Sequence, residues 1–375
     1  MKFIVENEQL ATALARVKSC VKASTIPILG HVLVEAKAGT VLVRATNLDR
    51  EMEASIPAEV IQHGCAALPG EILCRLVPRL SKGGQCQIAI EDGRAKLVSG
   101  ASKYDLRTLP IEDFPSRKEL AGEAVTFSIA ASTLHAMILA TVYATDAKSP
   151  YFWGQGLHLH IGAQKLVAVA TDSHRLARMA TEIPKGSAAM PAVTVPIEAA
   201  RAMADMLGGV EGEAELSVTS VLVSLSVGAV RFACKLVDCQ YPDYDGKVLG
   251  RIKPTEAAAT FRPYALAEAV ERAAVVYVGA DIAKRVPIME LATKDGAIHL
   301  KAGVAGNEQA IEAIDAETNG HGVDFTINSN YLSDMLGVWP ENVAVGMSQE
   351  EASKPVVFVA AERPEQIHVI MPTAF

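Results

Sequence analysis

Apolar residues along this chain alternate between two periods. Phe3-Ile-Val-Glu6 reads as a short strand, and the apolar positions that follow, Leu10, Leu14, Val17 and Val21, fall at helical spacing on one face. Glu6 or Asn7 can start that helix, and Arg16, Lys18 and Lys22 lie mostly off its stripe. Thr25-Ile-Pro-Ile-Leu-Gly30 ends it. Period two then returns: Val32 to Ala36 and Thr40 to Ala45 flank a turn at Ala38-Gly39, a hairpin pattern. A second half-unit follows, with a helix from Leu68-Pro69 to Leu80 and strands at Cys86–Ile90, Ala95–Val98 and Tyr104–Leu109.

That order recurs twice. The second pass begins with a strand at Val125–Ile129, a helix capped by Ser132 and bearing Leu134, Ile138 and Val142, and a hairpin of Leu157–Ile161 with Leu166–Ala170. It continues through a helix from Val195-Pro196 to Leu207 and strands from Leu216 to Val227 and from Phe232 onward. The third has a strand at Ala259–Arg262, a helix from Leu266 to Val276, and a hairpin of Met289–Ala292 with Ile298–Lys301. Its second half offers Phe325–Asn328, a helix from Tyr331 to Leu336, and strands at Val343–Val345, Val356–Val359 and His368–Pro372.

Three stretches mark the repeat: Val41-Leu-Val-Arg-Ala-Thr-Asn47, Leu166-Val-Ala-Val-Ala-Thr-Asp172 and, more loosely, Ile298-His-Leu-Lys-Ala-Gly303. Ala45, Ala170 and Ala302 stand at nearly equal intervals, about one domain length apart. The expected class is α+β with three similar domains, 1–121, 122–253 and 254–375, each a doubled unit of strand, helix and further strands. Such units leave sheet edges for a neighbour to cover.

Composition narrows the setting. Half of the 375 residues are hydrophobic, yet no apolar run reaches the roughly 18 residues of a membrane span. Met1-Lys-Phe-Ile-Val-Glu6 lacks the apolar core of an export signal, so the chain is expected to be soluble and cytoplasmic, with no membrane partner. Cys20, Cys65, Cys74, Cys86, Cys234 and Cys239 contain no Cys-x-x-Cys pair, and free thiols are expected rather than disulfides or a metal site. A net charge of −8 excludes a wholly basic nucleic-acid surface but allows a local basic face.

Candidate chemistry is sparse. Asp172, Ser173 and His174 suggest a hydrolase, but adjacent residues rarely form a relay and no Gly-x-Ser-x-Gly elbow accompanies them. His158 and His160 share a strand face without further ligands, so packed or surface histidines are preferred to a metal pair. No phosphate-cradling glycine motif is present, and no cofactor is expected. Tyr151-Phe-Trp153, after Lys148-Ser-Pro150, is either packing or a loop that touches nucleic acid or a partner. The pattern is that of a scaffold rather than a catalyst.

Taken together, the chain closely resembles the bacterial sliding clamp, the beta subunit of DNA polymerase III. The residues that carry the resemblance are Met1-Lys-Phe3, Thr25-Ile-Pro-Ile-Leu-Gly30, Ala170-Thr-Asp-Ser-His-Arg-Leu-Ala177, Lys235-Leu-Val-Asp-Cys-Gln-Tyr-Pro-Asp-Tyr244 and Val369-Ile-Met-Pro372. The resemblance implies a non-enzymatic processivity factor: a head-to-tail homodimer, ring-shaped, encircling double-stranded DNA without sequence preference. Its partners would be the polymerase III alpha subunit, the clamp loader and other proteins bearing a clamp-binding motif.

Carried over by motif, the partner-peptide pocket would use Thr171, His174, Arg175, Leu176, Pro242, Val248, Asn328, Tyr331, Pro355, Val369, Ile370, Met371 and Pro372. The ring seam would set Tyr104 and Leu106 against Val275 and Val276. DNA would meet Lys22, Lys148, Tyr151, Phe152, Trp153 and Lys247, with Arg16 and Arg75 behind them. Three features depart from the family pattern: acids in Leu68-Pro-Gly-Glu71 and Val195-Pro-Ile-Glu198 where basic residues are usual, the segment Tyr151–Gly156, and the tail Thr373-Ala-Phe375. Glu71 and Glu198 leave open a divergent paralogue serving a specialised polymerase, and Asp172 with His174 a multidomain hydrolase.

Overall fold

The computed structural model describes all residues except 22–24, 117–119, 121–122, 253–255, 278–286, 304–307, 321, 352 and 374–375. Both expected domain boundaries fall on residues outside that set. By internal contacts the chain divides into two units, one of residues 1–135, 184–191 and 201–236, the other of 136–183, 192–200 and 237–375.

The first unit contains two antiparallel sheets. One runs, edge to edge, Glu59–Gln62, Lys2–Glu6, Gln85–Glu91, Arg94–Ser99 and Ser102–Arg107. The other runs Val125–Ala130, Glu213–Val218, Leu222–Val227, Val230–Lys235, Arg50–Pro57, Thr40–Thr46, His31–Lys37 and Gly64–Pro69. The helix Asn7–Val17 buries Leu10, Leu14 and Val17, as its apolar spacing requires. The hairpin turn at Ala38 and Gly39 has φ of +50° and +78°, the left-handed pair whose twist matches the flanking strands.

The second unit contains a nine-stranded sheet: Val193–Pro196, Gly156–Gly162, Lys165–Thr171, Arg175–Glu182, Arg363–Ile370, Val356–Ala360, Val345–Ser348, Ala259–Phe261 and Glu317–Thr318. A four-stranded sheet follows the order Gln309–Asp315, Ala297–Gly303, Ile288–Lys294, Asp324–Asn328. Leu266 and Val270 of the helix Pro263–Ala274, with Leu332, Met335 and Leu336 of Ser329–Leu336, bury against Leu291, Leu300, Phe325 and Phe358. Burial of each such side chain contributes about 2 kcal/mol.

The thirds are therefore joined by continuous sheets. Val230–Lys235 of the middle third pairs with Arg50–Pro57 of the first, and Arg175–Glu182 pairs with Arg363–Ile370 of the last. Half of the middle repeat thus belongs to each unit.

Several strands have no counterpart in the sequence reading: Arg50–Pro57, Glu59–Gln62, Gly64–Pro69, Arg175–Glu182 and Gln309–Asp315. In the first of these Glu51 and Glu53 are only 1% and 3% exposed. Charged residues at buried positions erase the apolar alternation, and here they are compensated across strands: Arg44 and Arg231 both stand opposite Glu53 and also pair with Glu51 at 3.6 and 3.4 Å. Two helix starts also differ. The helix expected to be capped by Ser132 begins one residue earlier, at Ala131, which puts Ser132 inside its first turn. The helix expected from Leu266 begins at Pro263, because proline's fixed φ suits the first helical position.

Candidate functional site

The site grows from the turn Thr171–Arg175 between two strands of the nine-stranded sheet. Asp172 organises it: one carboxylate oxygen accepts from the backbone N–H of His174 and Arg175, both at 3.0 Å, and the other accepts from Arg175 Nε at 2.9 Å. Thr171 Oγ1 donates to the Arg175 carbonyl at 2.7 Å, and Ser173 takes a left-handed φ of +81° to close the loop. The hydrolase alternative fails on this geometry. Asp172 is committed to the turn and to Arg175, and the His174 ring lies against Tyr331, with centroids 6.2 Å apart.

Arg175 is the buried hub. Its guanidinium reaches Asp334 Oδ2 at 2.6 Å and lies over the rings of Tyr331 and Tyr143 at 4.4 and 5.4 Å. Burial opposes its charge, but the bond to Asp334 and the charges of Asp172 and Asp334 outweigh that, holding its pKa above the ordinary arginine value. The Tyr143 hydroxyl in turn stands 2.8 Å from Nδ1 of His368, a fully buried imidazole whose pKa burial pushes down to about 3.

Strand pairing sets the Thr171–Leu176 segment beside the chain's last strand. Arg175 stands opposite Ile370 and Leu176 opposite Val369, and Met371 N–H donates to the His174 carbonyl at 2.8 Å. Because side chains alternate across a sheet, neighbours in that strand part company. Leu176 and Val369 join Val169 and Tyr244 in an apolar cluster flanked by Tyr241, Val248 and Ile252. Ile370 instead packs fully buried in the C-terminal core.

The segment Tyr241–Ile252 closes over this face. The Tyr241 hydroxyl donates to the Val169 carbonyl at 3.4 Å, Tyr244 OH lies 2.8 Å from His160 Nε2, and Asp243 caps the short helix Tyr244–Lys247 through Gly246 N–H at 2.9 Å. Beside it opens a pocket of about 250 Å³ whose lining includes Val248, Pro355 and Met371. Lys247, expected to face DNA, lines this pocket as well. Arg251, Ile252, Lys354 and Val357 complete its wall, and no motif in the sequence singles them out.

The remaining expected residues fall elsewhere. Thr171 and Leu176 are buried, and Pro242 is half-buried, its carbonyl accepting from Tyr244 N–H at 2.8 Å. Asn328 caps the helix Ser329–Leu336 through Asn330 N–H, and Pro372 is half-buried next to Met371. His158 is packed: it stacks on Tyr241 at 4.0 Å, bonds Thr194 Oγ1 at 3.0 Å, and is pushed by burial to a pKa of about 3.

Around Tyr151-Phe-Trp153 the side chains divide between packing and exposure. Trp153 stacks on Tyr151 at 5.0 Å and meets Tyr241 edge-on at 6.4 Å, whereas Phe152 is 66% exposed. Lys148 is exposed in the loop before them. Lys22 lies outside the described residues. Tyr104 and Leu106 sit half-buried on the strand Ser102–Arg107, an open edge of the five-stranded sheet. Val275 is 65% exposed in the turn Val275–Tyr277, and Val276 packs partly on the C-terminal core. In the same unit the open edge Gln309–Asp315 presents Ile311, 75% exposed.

Repeated half-units fused through shared sheets, with an apolar pocket at the last strand and a Ser-His-Asp cluster that assembles no relay, are the features of a DNA-clamp scaffold. Family models of the DNA polymerase III beta subunit match the chain in succession: the N-terminal domain over residues 1–118, the central domain over 128–243 and the C-terminal domain over 252–374. The chain belongs to this family and is a DNA sliding clamp, a processivity factor that is not an enzyme.

It is 28% identical to the beta sliding clamp of Caulobacter vibrioides over 383 residues, covering 99% of each chain, and 28% identical to that of Escherichia coli K12 over 378 residues. Among solved structures it resembles a sliding clamp from Bartonella birtlesii bound to griselimycin, with a TM-score of 0.90 and 26% identity over the whole of both chains. A sliding clamp from Pseudomonas aeruginosa gives a TM-score of 0.87 at the same identity. Among the described residues no helix is long and apolar enough to cross a membrane.

Proposed function

We propose that two copies of this chain close head to tail into a ring around double-stranded DNA in the cytoplasm and tether partner proteins through the pocket beside the last strand. Those partners are the polymerase III alpha subunit, the clamp loader and other proteins with a short hydrophobic clamp-binding peptide. The observation that carries the reading is the cross-strand pair Leu176 and Val369, which sets an apolar patch next to a pocket of peptide-anchor size. A domain boundary near residue 121 is supported by the gap between the first two family matches, and one near residue 253 by the start of the C-terminal match at residue 252.

The seam would place the open edge carrying Tyr104 and Leu106 against the exposed Val275 and neighbouring Val276 of the second copy. Open edges and exposed apolar residues of this kind favour a heterologous contact. DNA contact would rest on Lys148 and the exposed Tyr151 and Phe152, with Trp153 holding Tyr151 in place. Weak phosphate contact suits a protein that must slide, because tight contact would act as a brake. Glu71 pairs with Arg75 at 2.7 Å, so the acid at this helix start is partly neutralised by its own helix.

Primer extension by a replicative polymerase with clamp loader on a long circular template tests the reading. Longer products per binding event, lost when the template is linear, are expected. Products of unchanged length on the circle would overturn it.

A further inference from the structure

The pocket beside the last strand has an uneven rim. Val248, Ile252, Pro355 and Met371 give it apolar walls, while Lys247, Arg251 and Lys354 bring three cations against the single acid Glu350. All three cations are exposed. Some exposed cations elsewhere on this chain meet carboxylates: Lys96 meets Glu91 at 2.5 Å, Lys235 meets Asp49 at 3.1 Å, Lys301 meets Glu290 at 3.2 Å and Arg272 meets Glu312 at 2.7 Å. Among the described residues no carboxylate pairs with Lys247, Arg251 or Lys354. In a chain of net charge −8, three such cations gathered around one apolar pocket form a local positive field against the prevailing sign.

We propose that this rim selects peptides whose apolar anchor is flanked by acidic side chains. The inference rests on the reading of the pocket as a peptide site and adds the charge of the occupant to it. The apolar wall supplies affinity by burial, which any hydrophobic peptide would exploit. The cations discriminate, since an acidic flank gains three exposed pairings and a basic flank meets like charge on three sides. The short helix Tyr244–Lys247 presents Lys247, and Gln349 Nε2 holds the Lys354 carbonyl at 2.9 Å, so two of the cations are carried on a locally fixed backbone.

Fluorescence anisotropy with the full chain tests this, using three synthetic peptides that share the same Leu and Phe anchors and differ only in flanking Asp, Ser or Lys residues. The Asp-flanked peptide is expected to bind about tenfold tighter than the Ser-flanked one in low salt, with the advantage shrinking severalfold in 0.5 M salt. Combined Lys247→Gln, Arg251→Gln and Lys354→Gln should abolish the advantage, so that the Asp-flanked and Ser-flanked peptides bind alike, and an unchanged thermal melt reports that the chain is still folded. Equal binding of all three peptides would overturn the charge selection while the peptide site stands. Binding of none would overturn both. Loss of duplex DNA retention in the triple variant with the peptide ranking preserved would assign the cations to phosphate instead and overturn the proposal.

Discussion

Arg175 and Asp334 stand 159 positions apart in the chain and 2.6 Å apart in the fold. The bond ties the turn after the Lys165–Thr171 strand to the helix Ser329–Leu336, and Asp172 completes it from the other side at 2.9 Å. The two acids are not equivalent. The Asp172 side chain is 5% exposed and Asp334 49%, so the first depends on the guanidinium far more than the second.

Arg175→Met should therefore destabilise the chain by about 3 kcal/mol, because it leaves the Asp172 carboxylate buried without its cation. Asp334→Asn should cost about 0.5 kcal/mol, as solvent already screens that partner. Urea midpoints for the two variants check the order, and equal losses would contradict it.

Met371 lines the pocket and is 40% exposed. Met371→Ser should weaken binding of a hydrophobic peptide by about tenfold, through lost apolar contact, with stability changed by less than about 0.5 kcal/mol. Titration calorimetry and thermal melts separate the two effects. An unchanged affinity would remove the pocket from the binding surface.

Acid should loosen the second unit. Burial lowers the pKa of His158 and His368 to about 3 from an ordinary 6.5. The unfolded chain takes up protons below 6.5 that the folded chain excludes, so this stability is complete above that pH and falls as pH drops toward 3. Each imidazole should remove about 1 kcal/mol between pH 6.5 and 5.5. His368→Gln should flatten its share of the slope, measured as urea midpoint against pH. A midpoint that does not fall on acidification would show that these rings are solvated.

At the seam of the eight-stranded sheet, Arg231→Met should cost about 3 kcal/mol, since it takes one of their cations from the buried Glu51 and Glu53. A joint Arg231→Met and Glu53→Leu change should restore part of the loss, because two apolar side chains can replace a buried pair. Losses that simply add would mean that the pair is not coupled.

Leu106→Asp and Val275→Asp address the ring. Either should convert the dimer to monomer in sedimentation equilibrium while peptide binding to the isolated chain persists. A dimer that survives both would place the seam elsewhere.

Most elements could be read from the sequence because apolar periodicity reports which face of a segment is buried. The helix Asn7–Val17 follows from Leu10, Leu14 and Val17 alone, and the order of half-units, repeated three times, reveals the family. The strands carrying Glu51, Glu53 and Arg175 escaped because their buried faces hold charges, which a hydrophobic pattern assigns to solvent. Periodicity also cannot name the partner of a face. Val369 and Ile370 are equally apolar, and only the pairing of their strand with Arg175–Glu182 sends the first to the pocket patch and the second to the core. The same holds for Lys247, whose place beside Pro355 and Met371 depends on distant segments folding onto one sheet. The sequence by itself determined the repeat, the elements and the class of protein, since these follow from local propensity and pattern. The tertiary structure decided which residues share the pocket and which charges compensate one another, because those depend on contacts between residues far apart in the chain.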